Sequence, residues 1–117
     1  MKKTAIFFVM SILCSMVLLG LGDGKTGILV DTKCAAGMGG DEAKAAGHKV
    51  SCALAPNCKA SGFGIVADGK FYRFDEAGNT KALALLEATE KASALKVRAE
   101  GHVMEDMIHV SALEAVD

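Results

Sequence analysis

The chain has 117 residues, 51% of them apolar, 23% charged and 5% aromatic, which leaves room for one domain with one modest core and excludes a two-domain protein. From Asp23 onward 11 basic residues stand against 14 acidic ones, a balance that argues against nucleic-acid binding, which needs clustered positive charge. A single Pro and the absence of Gln argue against a disordered or low-complexity tail.

In chain order, Lys2 and Lys3 precede an uncharged run from Ala5 to Leu19. As a helix that run spans about 22 Å, short of the roughly 30 Å hydrocarbon core of a bilayer. Gly20-Leu21-Gly22 then puts small residues at the −3 and −1 positions before Asp23, the pattern of signal-peptidase cleavage. Residues 1–22 are therefore expected to be an export signal that touches the membrane only before cleavage, with an uncleaved anchor as the rival. Cys14 leaves with it, and the protein is expected to be periplasmic or secreted. In such a compartment the remaining thiols, Cys34, Cys52 and Cys58, tend toward disulfides, and an odd number leaves one over.

The body, residues 23–117, reads as mostly β. Thr26 to Asp31 is a short β-branched strand. From Cys34 to Ser61 the periodicity fades into Gly, Ala and Lys, giving a long loop with one helical turn near Asp41 to Ala46 and a flexible Gly37-Met38-Gly39-Gly40. Phe63 to Ala67 and Lys70 to Phe74 flank Asp68-Gly69, a strong type I′ hairpin signal. Asn79 or Thr80 is then expected to cap a helix running to about Lys91. Leu95 to Met104 and Met107 to Leu113 alternate with period two, so that Val97, Ala99, Gly101 and Val103 share a core face with Ile108, Val110 and Ala112. The order strand, loop, strand, strand, helix, strand, strand predicts a small five-stranded barrel of the OB type with its helix between strands 3 and 4. An open ferredoxin-like sheet would need a second long helix, which the glycines of the loop oppose.

Leu29-Val30-Asp31-Thr32-Lys33-Cys34, the spacing of His48, Cys52 and Cys58, Gly62-Phe63-Gly64-Ile65-Val66 and Asp68-Gly69-Lys70-Phe71-Tyr72 together resemble small exported bacterial proteins of unassigned function. The likeness covers most of residues 25–113. It implies a secreted OB-like domain with a cysteine- and histidine-bearing first loop, and it transfers no activity. The chain departs from that pattern at the last hairpin, where Met104-Glu105-Asp106-Met107 stands in place of Asp-Gly-Asp-Thr.

Two constellations carry chemistry. Cys34, His48, Cys52 and Cys58 hold the ligand inventory of a Cys3His zinc or copper site, although five residues separate Cys52 from Cys58 where structural zinc pairs stand two to four apart. Alternatively, antiparallel pairing of the first two strands brings Cys34 and Cys58 to the neck of the loop. A disulfide there closes about 25 residues and stabilises by roughly 3.5 kcal/mol on the chain-entropy model, leaving Cys52 free. On the last hairpin, a turn at Met104-Glu105 or Glu105-Asp106 throws His102, Met104, Met107 and His109 onto one outer face. Thioether beside imidazole suits Cu(I), while an ordinary surface or partner patch is the plainer reading.

The sequence holds no haem-attachment motif, nucleophile elbow or phosphate loop. A thiol enzyme built on Cys52 and His48 lacks a third, orienting group. The aromatics Phe63, Phe71, Tyr72 and Phe74 suit core and rim better than a nucleic-acid platform at this charge. The expectation is an exported, monomeric or weakly associating, non-catalytic module without a cofactor, binding a protein, glycan or small molecule at the barrel rim. A periplasmic metal-binding protein is the alternative.

Overall fold

A computed structural model of the chain describes residues 24–116; the expected leader at 1–22 lies outside them. Five strands, β1 (Gly24–Asp31), β2 (Phe63–Ala67), β3 (Lys70–Phe74), β4 (Lys96–Met104) and β5 (Met107–Ala115), close into a barrel in the order β1-β2-β3-β5-β4. All neighbours are antiparallel except β3 and β5. Closure depends on β1, which pairs with β4 through Gly24–Ile28 and with β2 through Ile28–Asp31. Gly27 sits where the strand passes from one partner to the other. A Cβ there would stand 2.4 Å from the Val66 carbonyl oxygen, so only glycine permits the approach.

Period-two alternation fills the interior. Leu29, Ile65, Tyr72, Phe74, Val97 and Ile108 point inward and are buried with Ala67, Ala99 and Val110. One end is closed by a long helix (Glu76–Ala88) between β3 and β4, as expected, through Ala82 and Leu86. Its cap is Asp75 rather than Asn79 or Thr80. The Asp75 carboxylate accepts from the Gly78 amide at 3.0 Å and from the Val110 amide at 3.1 Å, tying helix to strand. Gly78, within the helix, is a close-contact point where a Cβ would meet Val110 and Phe74. Asn79 accepts from the Phe63 amide at 2.8 Å and so fixes the start of β2.

The last hairpin departs from simple alternation. Its turn is Glu105-Asp106, both with positive φ (52° and 64°), the type I′ geometry. The register shifts at Glu100/Gly101, where Ala112 opposes Glu100 and Val110 opposes Gly101, so Ser111 is an extra residue on β5. The bulge reverses the faces beyond it. Leu113 turns toward the core, and Ala112, expected inside, is exposed. Val103 is 40% exposed because the hairpin tip overhangs the barrel.

The long loop, expected to hold one helical turn near Asp41 to Ala46, has that turn and three more, which is the larger correction. It folds into four short helices, α1 (Thr32–Ala35), α2 (Glu42–Ala46), α3 (Val50–Ala53) and α4 (Pro56–Ala60), ahead of the long helix, α5. Local chemistry explains three of the four starts: Asp31 caps α1, Asp41 caps α2 through the amides of Ala43 and Lys44, and Pro56 opens α4 with its φ already set, while α3 follows Lys49 without a side-chain cap. Small side chains let the turns lie close. Ala35, Ala45 and Met38 cover the outward residues Ile28, Val30 and Val66 of β1 and β2, making a second core outside the barrel. Met38, within the glycine stretch read as flexible, is buried, and every residue of β2 is buried because both its faces are covered.

Candidate functional site

The second core is fastened at its neck. The Thr32 amide donates to the Gly62 carbonyl at 2.9 Å, and the Lys33 amide donates to Ser61 Oγ at 3.1 Å. Ser61 in turn donates to the Cys58 carbonyl at 2.6 Å. These bonds set the beginning of α1 against the end of α4 and bring the sulfurs of Cys34 and Cys58 to 4.0 Å, as two free thiols. The antiparallel pairing of β1 with β2 that the sequence suggests is what places them there.

Beside the sulfurs stands Asp31, the last residue of β1 and fully buried. One of its oxygens accepts from the Cys34 amide at 2.9 Å, and the other lies 2.7 Å from His48 Nε2. Burial pushes the Asp31 carboxyl upward. The Cys34 amide and the His48 ring more than offset that and hold it below the ordinary aspartate value. An ionised carboxylate only accepts, so Nε2 of His48 carries the proton in this bond. Burial, with the adjacent Asp31 carboxylate and then Cys58, pushes the Cys34 thiol up to about 12. That is the reverse of the depressed value an activated cysteine nucleophile needs.

Among the described residues, Asp31, Cys34 and Cys58 form a group whose ligand atoms all lie within 4.8 Å of one another. Of the four expected loop ligands, the structure brings Cys34 and Cys58 together and places His48 against Asp31. Cys52 is exposed on α3, and His48 precedes that helix, so the two do not share a helical face. In the sequence Asp31 reads only as a strand end. A signal was present in the sequence, since a carboxylate three residues before Cys34 is an N-cap spacing, but its burial depends on the loop folding back.

On the far hairpin, His102 opposes His109 and Met104 opposes Met107, so these four share an outer face as expected. They lie on different strands from the loop cluster. Among the described residues no helix is long and apolar enough to cross a membrane. No family model, no curated protein and no solved structure matches the chain.

Proposed function

We propose that the protein is an exported, monomeric, non-catalytic metal-binding module. Cys34, Cys58 and Asp31 take a thiophilic divalent ion, zinc being the ion the donors suit. One observation carries the reading: two sulfurs and a buried carboxylate converge within 4.8 Å at the fastened neck of the loop. Tetrahedral zinc with Zn–S bonds of about 2.3 Å holds two sulfurs about 3.8 Å apart. The thiols, at 4.0 Å, stand close to that spacing. His48 acts one step back, orienting the carboxylate as outer partners of metal ligands do. The set is thus Asp31 with two cysteines, where the sequence suggested three cysteines and a histidine. The resemblance to small exported proteins and the leader pattern support the compartment.

Native mass spectrometry of reduced protein equilibrated with zinc is expected to show one ion. That ion is lost in Cys34→Ser and Cys58→Ser and kept in Cys52→Ser. No bound ion, with purified protein two hydrogens light and a mapped Cys34–Cys58 bridge, would make the pair a staple instead.

A second reading, a ligand site at the rim, is favoured by a cleft of about 500 Å³ between α1 and the β2–β3 and β4–β5 turns. Its wall carries Phe71, Lys70 and Arg73. Glycan or carboxylate binding that Arg73→Ala abolishes would support it. Retention of such binding in that variant would count against it.

A further inference from the structure

The outward face of the β4–β5 hairpin presents two imidazoles and two thioethers in one compact array. The register sets His102 directly across from His109 and Met104 directly across from Met107. Directly opposed side chains in an antiparallel pair have Cβ atoms about 4.5 to 5.5 Å apart. The two pairs follow each other along the strands by two residues, about 7 Å. A pair of methionine side chains, each with three rotatable bonds, spans that interval. The tight Glu105-Asp106 turn and the bulge at Ser111 bracket the array and pin its register, and a slip of one residue would disperse it to both faces.

Two further features mark this face. Met104 is 61% exposed, a large apolar side chain left in water with no burial to account for it. The Nδ1 of His109 lies 3.7 Å from the Asp75 carboxylate, near it without a direct hydrogen bond, which leaves Nε2 on the side away from Asp75. Arg73 of β3 is the neighbour of Met107 across the parallel pair, and it supplies no ligand.

We infer that this face binds Cu(I) through the thioethers of Met104 and Met107 with the imidazoles of His102 and His109. Thioether sulfur selects a soft monovalent d10 ion over Zn²⁺, which gains little from it. The site is independent of the cysteine pair.

The test is anaerobic titration of the full-length reduced protein with Cu(I) in excess over the thiols, followed by NMR of the methionine methyl groups and histidine rings. The methyls of Met104 and Met107 and the rings of His102 and His109 are expected to shift together, while the methyl of Met38, buried in the cluster against which Cys34 packs, reports the cysteine pair instead. Zn²⁺ should leave the two methyls in place. The Met104→Leu/Met107→Leu variant, altered only at the hairpin tip, should keep its fold and lose the histidine shifts. Unmoved methyls with Cu(I) in excess, or histidine shifts undiminished in the double variant, would overturn the assignment. Because each signal belongs to a named residue, failure at the cysteine pair and failure here are told apart.

Discussion

The inside of the barrel and the layer folded over its outer side bury surface by different means. Inside, Ile65, Leu86, Val97 and Ile108 are large, almost wholly enclosed side chains drawn from strands and helix far apart in sequence. Outside, the loop contributes Ala35, Ala45 and one methionine, and its shape depends on caps, on the Ser61 bonds and on the Asp31–His48–Cys34 contacts. The interior is held by volume, the outer layer by a few directional contacts around two thiols. A ligand that joined those contacts would therefore act on the outer layer first.

The most disruptive change lies inside. Ile65→Ala should cost about 3 to 4 kcal/mol, in the middle of the roughly 2 to 5 kcal/mol spanned by truncations of enclosed aliphatic side chains. It should unfold barrel and loop together in chemical denaturation. Separate transitions would break the comparison by showing the two layers to be independent.

Next in size is Asp31→Ala, expected to cost about 2 to 3 kcal/mol because it strands the Cys34 amide and the His48 ring. Hydrogen exchange should show the loss concentrated at residues 32–61 while β3 and α5 stay protected. Acid gives the same contrast without mutation. The Asp31 carboxyl is held below its ordinary value in the fold, so its contribution is complete above about pH 4 and is lost as pH falls through the lower folded value. Loop amides should lose protection over that acid range, and Asp31→Asn, which has no such charge to lose, should not show this dependence.

The interior was legible in the sequence and the outer layer was not. The apolar runs around Leu29 and Ile65, the alternation around Val97 and the Asp68-Gly69 turn announce themselves within a few residues, and the five strands follow from them, with β1 starting two residues earlier and β5 ending two residues later than the pattern suggests. The loop helices are four or five residues long, too short for periodicity to register beyond the one turn expected near Asp41 to Ala46; side-chain caps hold α1 and α2, and α3 and α4 have none. The meeting of Cys34 with Cys58 could be read from strand pairing because both sit at the neck. The role of Asp31 could not, since its burial requires α1, His48 and β2 at once. The reversal at Ala112 was hidden for a similar reason: a single bulged Ser111 leaves the local pattern intact and changes only its partner.

The smallest effects separate the cysteines. Cys52→Ser, at an exposed site, should change stability by less than about 0.5 kcal/mol. In metal-free protein at neutral pH, alkylation should reach Cys52 well before Cys34, which is partly buried and whose thiol is pushed up to about 12. Comparable labelling rates, followed by mass mapping, would show the neck to be open.

The most direct measurement is the optical spectrum of the reduced protein titrated with Co²⁺, a spectroscopic stand-in for zinc. Two thiolates on one ion predict a sulfur-to-cobalt charge-transfer band saturating at one equivalent. The band should be weakened in either Cys34→Ser or Cys58→Ser and unchanged in Cys52→Ser. A titration with no such band, or one that depends on Cys52, would contradict the assignment of Asp31, Cys34 and Cys58 as a metal site.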